Sequence, residues 1–168
     1  MPRRLAQQLL FAILGSLLLS GCAVGPRLDE VYEAPPELPP GQARIYFYRS
    51  IDAFLIARET EYVVNDQRVG QAISGAVFFR DAQPGRYKIH TVDDASSVVY
   101  LSLEAGETAY VRAQSQWGEL GFAIGLVLVE PALGQSESAG LVFKDGLEVE
   151  SAVQAARLPP LEACCEGR

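Results

Sequence analysis

The chain has 168 residues, with 14 basic against 21 acidic side chains and a formal charge of −7. That excess of negative charge opposes binding to nucleic acid or to anionic lipid head groups, so neither is expected as a partner through charge. Hydrophobic residues make up 49% of the chain, too many for a wholly disordered protein, and the length suits one domain with a short extension.

In chain order, residues 1–21 read as a secretory signal helix. Arg3 and Arg4 form a positive end, Leu9 to Leu19 is apolar apart from Gly15 and Ser16, and the small residues Ser20 and Gly21 precede Cys22. A membrane-spanning helix needs about 20 apolar residues, more than this run supplies before Gly25-Pro26. Leu19-Ser20-Gly21-Cys22 resembles the lipobox of bacterial lipoproteins. The resemblance implies cleavage between Gly21 and Cys22, diacylglycerol on the Cys22 thiol, and palmitate among the acyl chains. Ala23 in place of Asp implies release to the outer membrane, with the protein facing the periplasm of the cell envelope. The alternative is a secreted protein in which Cys22 is a free thiol. Loss of Arg3 and Arg4 with the signal takes the formal charge to −9, so lipid and not surface charge would hold the protein to the membrane.

Residues 22–42 carry Pro26, Pro35, Pro36, Pro39 and Pro40 and are expected to form a Pro-rich tether. As polyproline II, at about 3.1 Å per residue, it would hold the domain up to roughly 60 Å from the bilayer. The alternative is packing along the domain, with Val31, Tyr32 and Leu38 buried.

Residues 43–157 carry the strand signals. Ala43 to Arg49 alternates Ile45 and Phe47 with Arg44, Tyr46 and Tyr48, the pattern of a half-buried strand. Glu61 to Val64 and a return at Val69-Gly70 flank Asn65-Asp66, a hairpin signal. Ala76 to Arg80 runs to a turn at Gln83-Pro84-Gly85, and Arg86 to Val92 leaves it. Ser97 to Leu103 and Thr108 to Gln114 flank a glycine turn at Glu104-Ala105-Gly106-Glu107, read as another hairpin. Phe122 to Val129 is apolar on both faces, as a central strand would be. Ala132 to Leu141 reads as one or two helical turns weakened by Gly134 and Gly140, with Leu141 to Phe143 packing on the core. Residues 158–168 are expected to be a flexible tail. There Cys164 and Cys165 lie about 3.8 Å apart at Cα, less than the roughly 4.4 to 6.8 Å of a relaxed disulfide. They are either part of a mobile tail or an intermolecular, redox-exchanging pair. Short strands at this spacing point to an all-β, small antiparallel β-sandwich.

Four pieces, in this order, carry a resemblance: Ala43 to Arg49; Val64-Asn65-Asp66 with Val69-Gly70; Pro84-Gly85 with Tyr87 and Ile89; and Glu104 to Glu107 before Tyr110-Val111. Over about Ala43 to Ala113 the chain resembles the lipoprotein-associated domain of unknown function 2846. The resemblance implies a prealbumin-like or PEGA-like sandwich and brings no activity, cofactor or catalytic residue with it. It leaves Phe122 to Val129 outside.

No spacing points to catalysis. His90, the single histidine, shares a face with Lys88 and Arg86 and lacks a partner, and no zinc spacing can be made. Asp93-Asp94 and Glu104 with Glu107 fall in turns, where acidic residues serve the turn itself. Gly118 to Gly121 lacks the helix and Lys of a phosphate loop, and there is no Gly-x-Ser-x-Gly nucleophile elbow. The expectation is a non-catalytic binding or structural module anchored through Cys22, without cofactor or metal, meeting an unknown envelope protein. Tyr46 and Tyr48 beside Arg44 and Arg49 have the composition of an interaction surface, unless they are covered by the tether or the other sheet. A carrier or sensor of an apolar ligand, using Phe122 to Val129 as a cavity wall, is the alternative. An envelope enzyme is a third reading that lacks a site.

Overall fold

The computed structural model describes residues 25–32, 36–52, 55–94, 96–118, 121–144 and 157–161. The signal segment, Cys22, Cys164 and Cys165 lie outside them. Ten strands are described: β1 (Ala43–Arg49), β2 (Glu61–Val64), β3 (Gln67–Gln71), β4 (Ala76–Ala82), β5 (Gly85–Thr91), β6 (Val99–Leu103), β7 (Thr108–Gly118), β8 (Gly121–Val129), β9 (Val142–Phe143) and β10 (Arg157–Leu158). Two helices, α1 (Leu28–Val31) and α2 (Pro131–Ala139), join them. The fold is an all-β sandwich.

The larger sheet runs β10-β4-β1-β7-β8, with β9 beside β4, and the smaller runs β3-β2-β5-β6. β1 is central, antiparallel to β4 and parallel to β7, and every one of its residues is buried. Its inner face meets the smaller sheet. Phe47 stacks on Phe78 at 5.1 Å and lies 5.1 Å from the ring of Tyr62, and Ile45, Val64, Ile89, Val111, Ile124 and Leu126 complete this core. Tyr62, fully buried, donates its hydroxyl to the Tyr48 carbonyl at 2.8 Å, and burial pushes its pKa upward.

The Asn65-Asp66 hairpin forms as expected, with φ of 47° and 65° at the two turn residues, the geometry of a type I′ turn joining β2 to β3. The turn at Gln83-Pro84-Gly85 also forms, and the hairpin expected at Glu104 to Glu107 does not. Gln83-Pro84 carries the chain from β4 in the larger sheet to β5 in the smaller, and Glu104 to Glu107 carries it back from β6 to β7. Both are sandwich corners and not hairpins, because Gly and Pro mark a reversal without specifying which strand will be the neighbour.

The continuous apolar run of β8 lies at the edge of its sheet and not at the centre. Ile124 and Leu126 enter the core, Val127 and Val129 join the layer on the opposite face, and Phe122 and Leu128 are exposed. An edge strand is apolar on both faces here because both faces are covered along its middle, from Ile124 to Val127. Its open edge is met by the end of β5 and the loop after it: Thr91 Oγ1 donates to the Ile124 carbonyl at 3.4 Å and Leu126 N–H donates to Ser97 Oγ at 3.1 Å.

The tail expected from residue 158 is part of the fold as far as residue 161. β10 pairs in parallel with β4, and Leu158 is 1% exposed. Tyr87 donates its hydroxyl to the Leu158 carbonyl at 3.0 Å, and Asn65 donates its amide to the Pro159 carbonyl at 2.8 Å. Two prolines do not prevent this, since a single apolar side chain can fill the sandwich end while the backbone takes a short edge position. Leu158→Ala should therefore lower stability by about 2–4 kcal/mol in urea denaturation. An unchanged midpoint would show that this segment is not part of the core.

Candidate functional site

The outer face of the larger sheet holds the residues singled out on β1, and it is covered. Alternation puts Arg44, Tyr46 and Tyr48 on this face and Arg49 on the inner one. All four are buried, Tyr48 at 1% and Arg49 at 0% exposure, so the expected exposed interaction surface is not present. A parallel pair in the middle of a sheet is normally covered on both sides, and α1, α2 and the 36–42 segment supply the cover.

The layer beneath them is aromatic. Tyr46 and Tyr110 stack at 4.9 Å with rings 8° from parallel, Phe79 lies 5.4 Å from Tyr46, and Tyr32 meets Phe143 edge-on at 5.3 Å. α2 lies directly on this layer. Pro131 starts it and Glu130 caps it, accepting from Ala132 N–H at 3.0 Å and Leu133 N–H at 3.3 Å. Gly134 is what lets the helix approach, since a Cβ there would stand 2.3 Å from the Tyr110 ring.

The charged side chains on the face are paired, with Arg112 Nε alone among their buried atoms left without a hydrogen bond. Arg44 makes a two-pronged pair with Asp81, at 2.6 and 3.2 Å, donates to the Pro36 carbonyl at 2.6 Å, and lies 4.3 Å from the centre of the Phe79 ring. Tyr48 donates to Glu137 on α2 at 2.6 Å, and Arg112 on β7 reaches both oxygens of the same carboxylate at 2.8 and 2.9 Å. On the inner face, Arg49 donates to the carbonyls of Arg58, Ala72 and Leu55, closing the loop between β1 and β2. These groups hold cover to sheet. Asp81, Arg112 and Glu137 are the residues that sequence reasoning missed. The available signals were Glu130-Pro131, which marks a helix start, and a lone Arg112 alternating with core residues on β7.

The remaining candidates behave locally. His90 is part-exposed on β5, its Nδ1 2.9 Å from the Thr91 carbonyl oxygen. Asp94 accepts from Ser96 and Ser97 N–H and from Gln116 at 3.3 Å, and Glu107 accepts Glu104 N–H at 2.7 Å, so these acids organise their own turns. The Ser96 hydroxyl first, then the Ser96 and Ser97 amides, hold Asp94 below its ordinary range. Ile124 and Leu126 are packed in the core, and an open groove of about 340 Å³ lies elsewhere. It is lined by Arg86, Tyr87, Tyr100, Leu101, Ser102 and Leu161, with Tyr100 71% exposed.

With that geometry in view, comparison with known families is direct. The model for a protein of unknown function, DUF2846, matches residues 39–124. The chain belongs to the DUF2846 family. The match extends past Ala113 into β8, so part of the apolar run lies inside the family domain and not outside it. The two helical covers differ: α1 precedes the matched DUF2846 region and α2 follows it. No curated protein and no solved structure matches the chain.

The Tyr48 hydrogen bond, against partial burial and with Arg112 adding to it, holds Glu137 below its ordinary value of 4.5. Folded Glu137 therefore binds its proton more weakly than unfolded Glu137. Its contribution is complete above 4.5 and is lost as pH falls through the lower folded value. Glu137→Gln should cost about 1 kcal/mol at neutral pH and flatten the fall in stability below that range. Equal acid slopes for variant and wild type would disprove the role.

Proposed function

We propose that this DUF2846 chain is a lipid-anchored envelope lipoprotein that works next to the membrane as a non-catalytic binding or structural module. The observation that carries this reading is the closeness of Leu19-Ser20-Gly21-Cys22 to the first packed residues. Leu28 N–H donates to the Leu141 carbonyl at 2.8 Å and Phe143 N–H to the Pro26 carbonyl at 2.9 Å, while Arg27 bridges Val142. Residues 25–32 and 36–42 thus lie along the body, and the standoff of roughly 60 Å expected of a free tether does not hold for them. Three peptide steps separate Cys22 from Gly25, a reach of about 10 Å. A domain held this closely works at the bilayer surface.

A binding role is supported by the groove between β5, β6 and Leu161, where the exposed Tyr100 ring, Arg86 and Ser102 offer apolar area, charge and a hydroxyl together. The polar groups on the covered face are engaged in holding α2 and the N-terminal segment, which fits a module without chemistry of its own. Residence in the periplasm on the outer membrane follows from the same signal, with Ala23 after the lipidated position.

Metabolic labelling with palmitate in a diderm bacterial host tests the anchor. Wild type should incorporate label into the envelope fraction and Cys22→Ser should not. Equal label in both, or none in wild type, would refute the reading.

A further inference from the structure

The smaller sheet stops at β6 with an edge that nothing in its sequence blunts. Natural edge strands discourage further pairing with charge, Pro, Gly or a bulge. At the opposite edge of the same sheet, β3 carries Arg68 and Gly70, and its pairing with β2 shifts register between Tyr62 and Val63. β8, at the edge of the larger sheet, is met by Thr91 and Ser97. Val99-Tyr100-Leu101-Ser102-Leu103 of β6 has none of these devices, and among the described residues its backbone bonds run to β5 alone.

The two sides of that edge differ in chemistry. On the outer side, alternation places Arg86 and Lys88 of β5 with Tyr100 and Ser102 of β6, Lys88 level with Tyr100 and Arg86 level with Ser102. Glu61 is the only acid in the strands of this sheet, and Arg68 lies 2.8 Å from it. In a chain of charge −7, this face is basic. On the inner side, Leu128 lies opposite the fully buried Val111 and shares its face with Ile124 and Leu126, yet it is 46% exposed. β5 and β6 pack across from β8, and no strand of the smaller sheet follows β6 to cover that leucine.

We propose that the edge of β6 accepts an extended segment of a partner protein whose residues alternate acidic and apolar. This edge belongs to the β5–β6 groove already read as a binding site, on which the inference rests; the anchor at Cys22 plays no part. A strand added beside β6 bonds through its backbone, and every second residue falls on the outer face, about 6.6 Å apart, the same repeat as Arg86 and Lys88. Acidic side chains there meet the β5 cations across Ser102 and Tyr100, and the apolar side chains between them turn inward toward Leu128. A helix repeats its face about every 5.4 Å and has no free backbone to offer the edge. A second copy pairing β6 with β6 would bring two basic faces together, which charge opposes.

Full-length lipidated protein in nonionic detergent is to be titrated into a fluorescein-labelled peptide with Glu-Val repeated three times. Binding is read by anisotropy, and hydrogen exchange is followed at the edge-facing amides of Val99 to Leu103. Strand addition predicts saturable binding that weakens with salt and protects these amides. Arg86→Glu with Lys88→Glu should weaken it about tenfold or more at unchanged melting temperature, while Arg58→Glu, in the loop between β1 and β2, should leave it unchanged. Should the double variant melt lower, a peptide with Gln for Glu makes the same comparison on wild type and should also bind about tenfold more weakly. Equal binding by a fully N-methylated peptide overturns strand addition and leaves the groove as a binding site. Edge amides already protected in the protein alone assign the edge to this chain and overturn the partner: to a second copy where protection grows with concentration, to residues 162–168 where it does not. No binding by any peptide refutes strand addition and the binding reading of the groove together, and palmitate labelling still decides the anchor separately.

Discussion

Burial of β1 on both faces is the constraint from which the rest of the molecule follows. A strand paired in parallel with β7 and antiparallel with β4 sits mid-sheet, so Ile45 and Phe47 on one side and Tyr46 and Tyr48 on the other must all leave water. The smaller sheet covers the first side. Nothing in a two-layer sandwich covers the second, so the chain brings α1, the 36–42 segment and α2 across it. The two helices flank the matched family region and, with the 36–42 segment, extend the sandwich into a third, partial layer.

That third layer gives the polar residues their work. An aromatic face offers dispersion and edge-on ring contacts but little direction, and a short helix could lie on it in several ways. Arg44 with Asp81 and Pro36, and Tyr48 and Arg112 with Glu137, remove that freedom by adding directional, charge-assisted contacts at two points of the cover. Gly134 sets the distance, because the Tyr110 ring occupies the space a side chain would need.

The cover also decides how the protein presents itself. Residues 25–32 clip to β9 and the outer face, so the N-terminal segment lies along a defined edge of the body. The face read as an interaction surface is closed by this arrangement, while the β5–β6 groove and the projecting β7–β8 end are open.

By itself the sequence determined most of the strands, the tight turn at Asn65-Asp66, the family and the outward face of the strand that carries His90, since each is written in neighbouring residues: period-two alternation, turn chemistry, or an ordered set of short motifs. The Leu-Ser-Gly-Cys signal is equally local. Only the tertiary structure decided which strands are neighbours, and with that whether Tyr46 and Tyr48 face water, whether the apolar β8 is central or at an edge, and whether Leu158 is tail or core. A side chain's alternation tells which face of a strand it is on; what lies over that face is set by residues far along the chain, here Leu28, Glu137 and Phe143, whose approach no local pattern records.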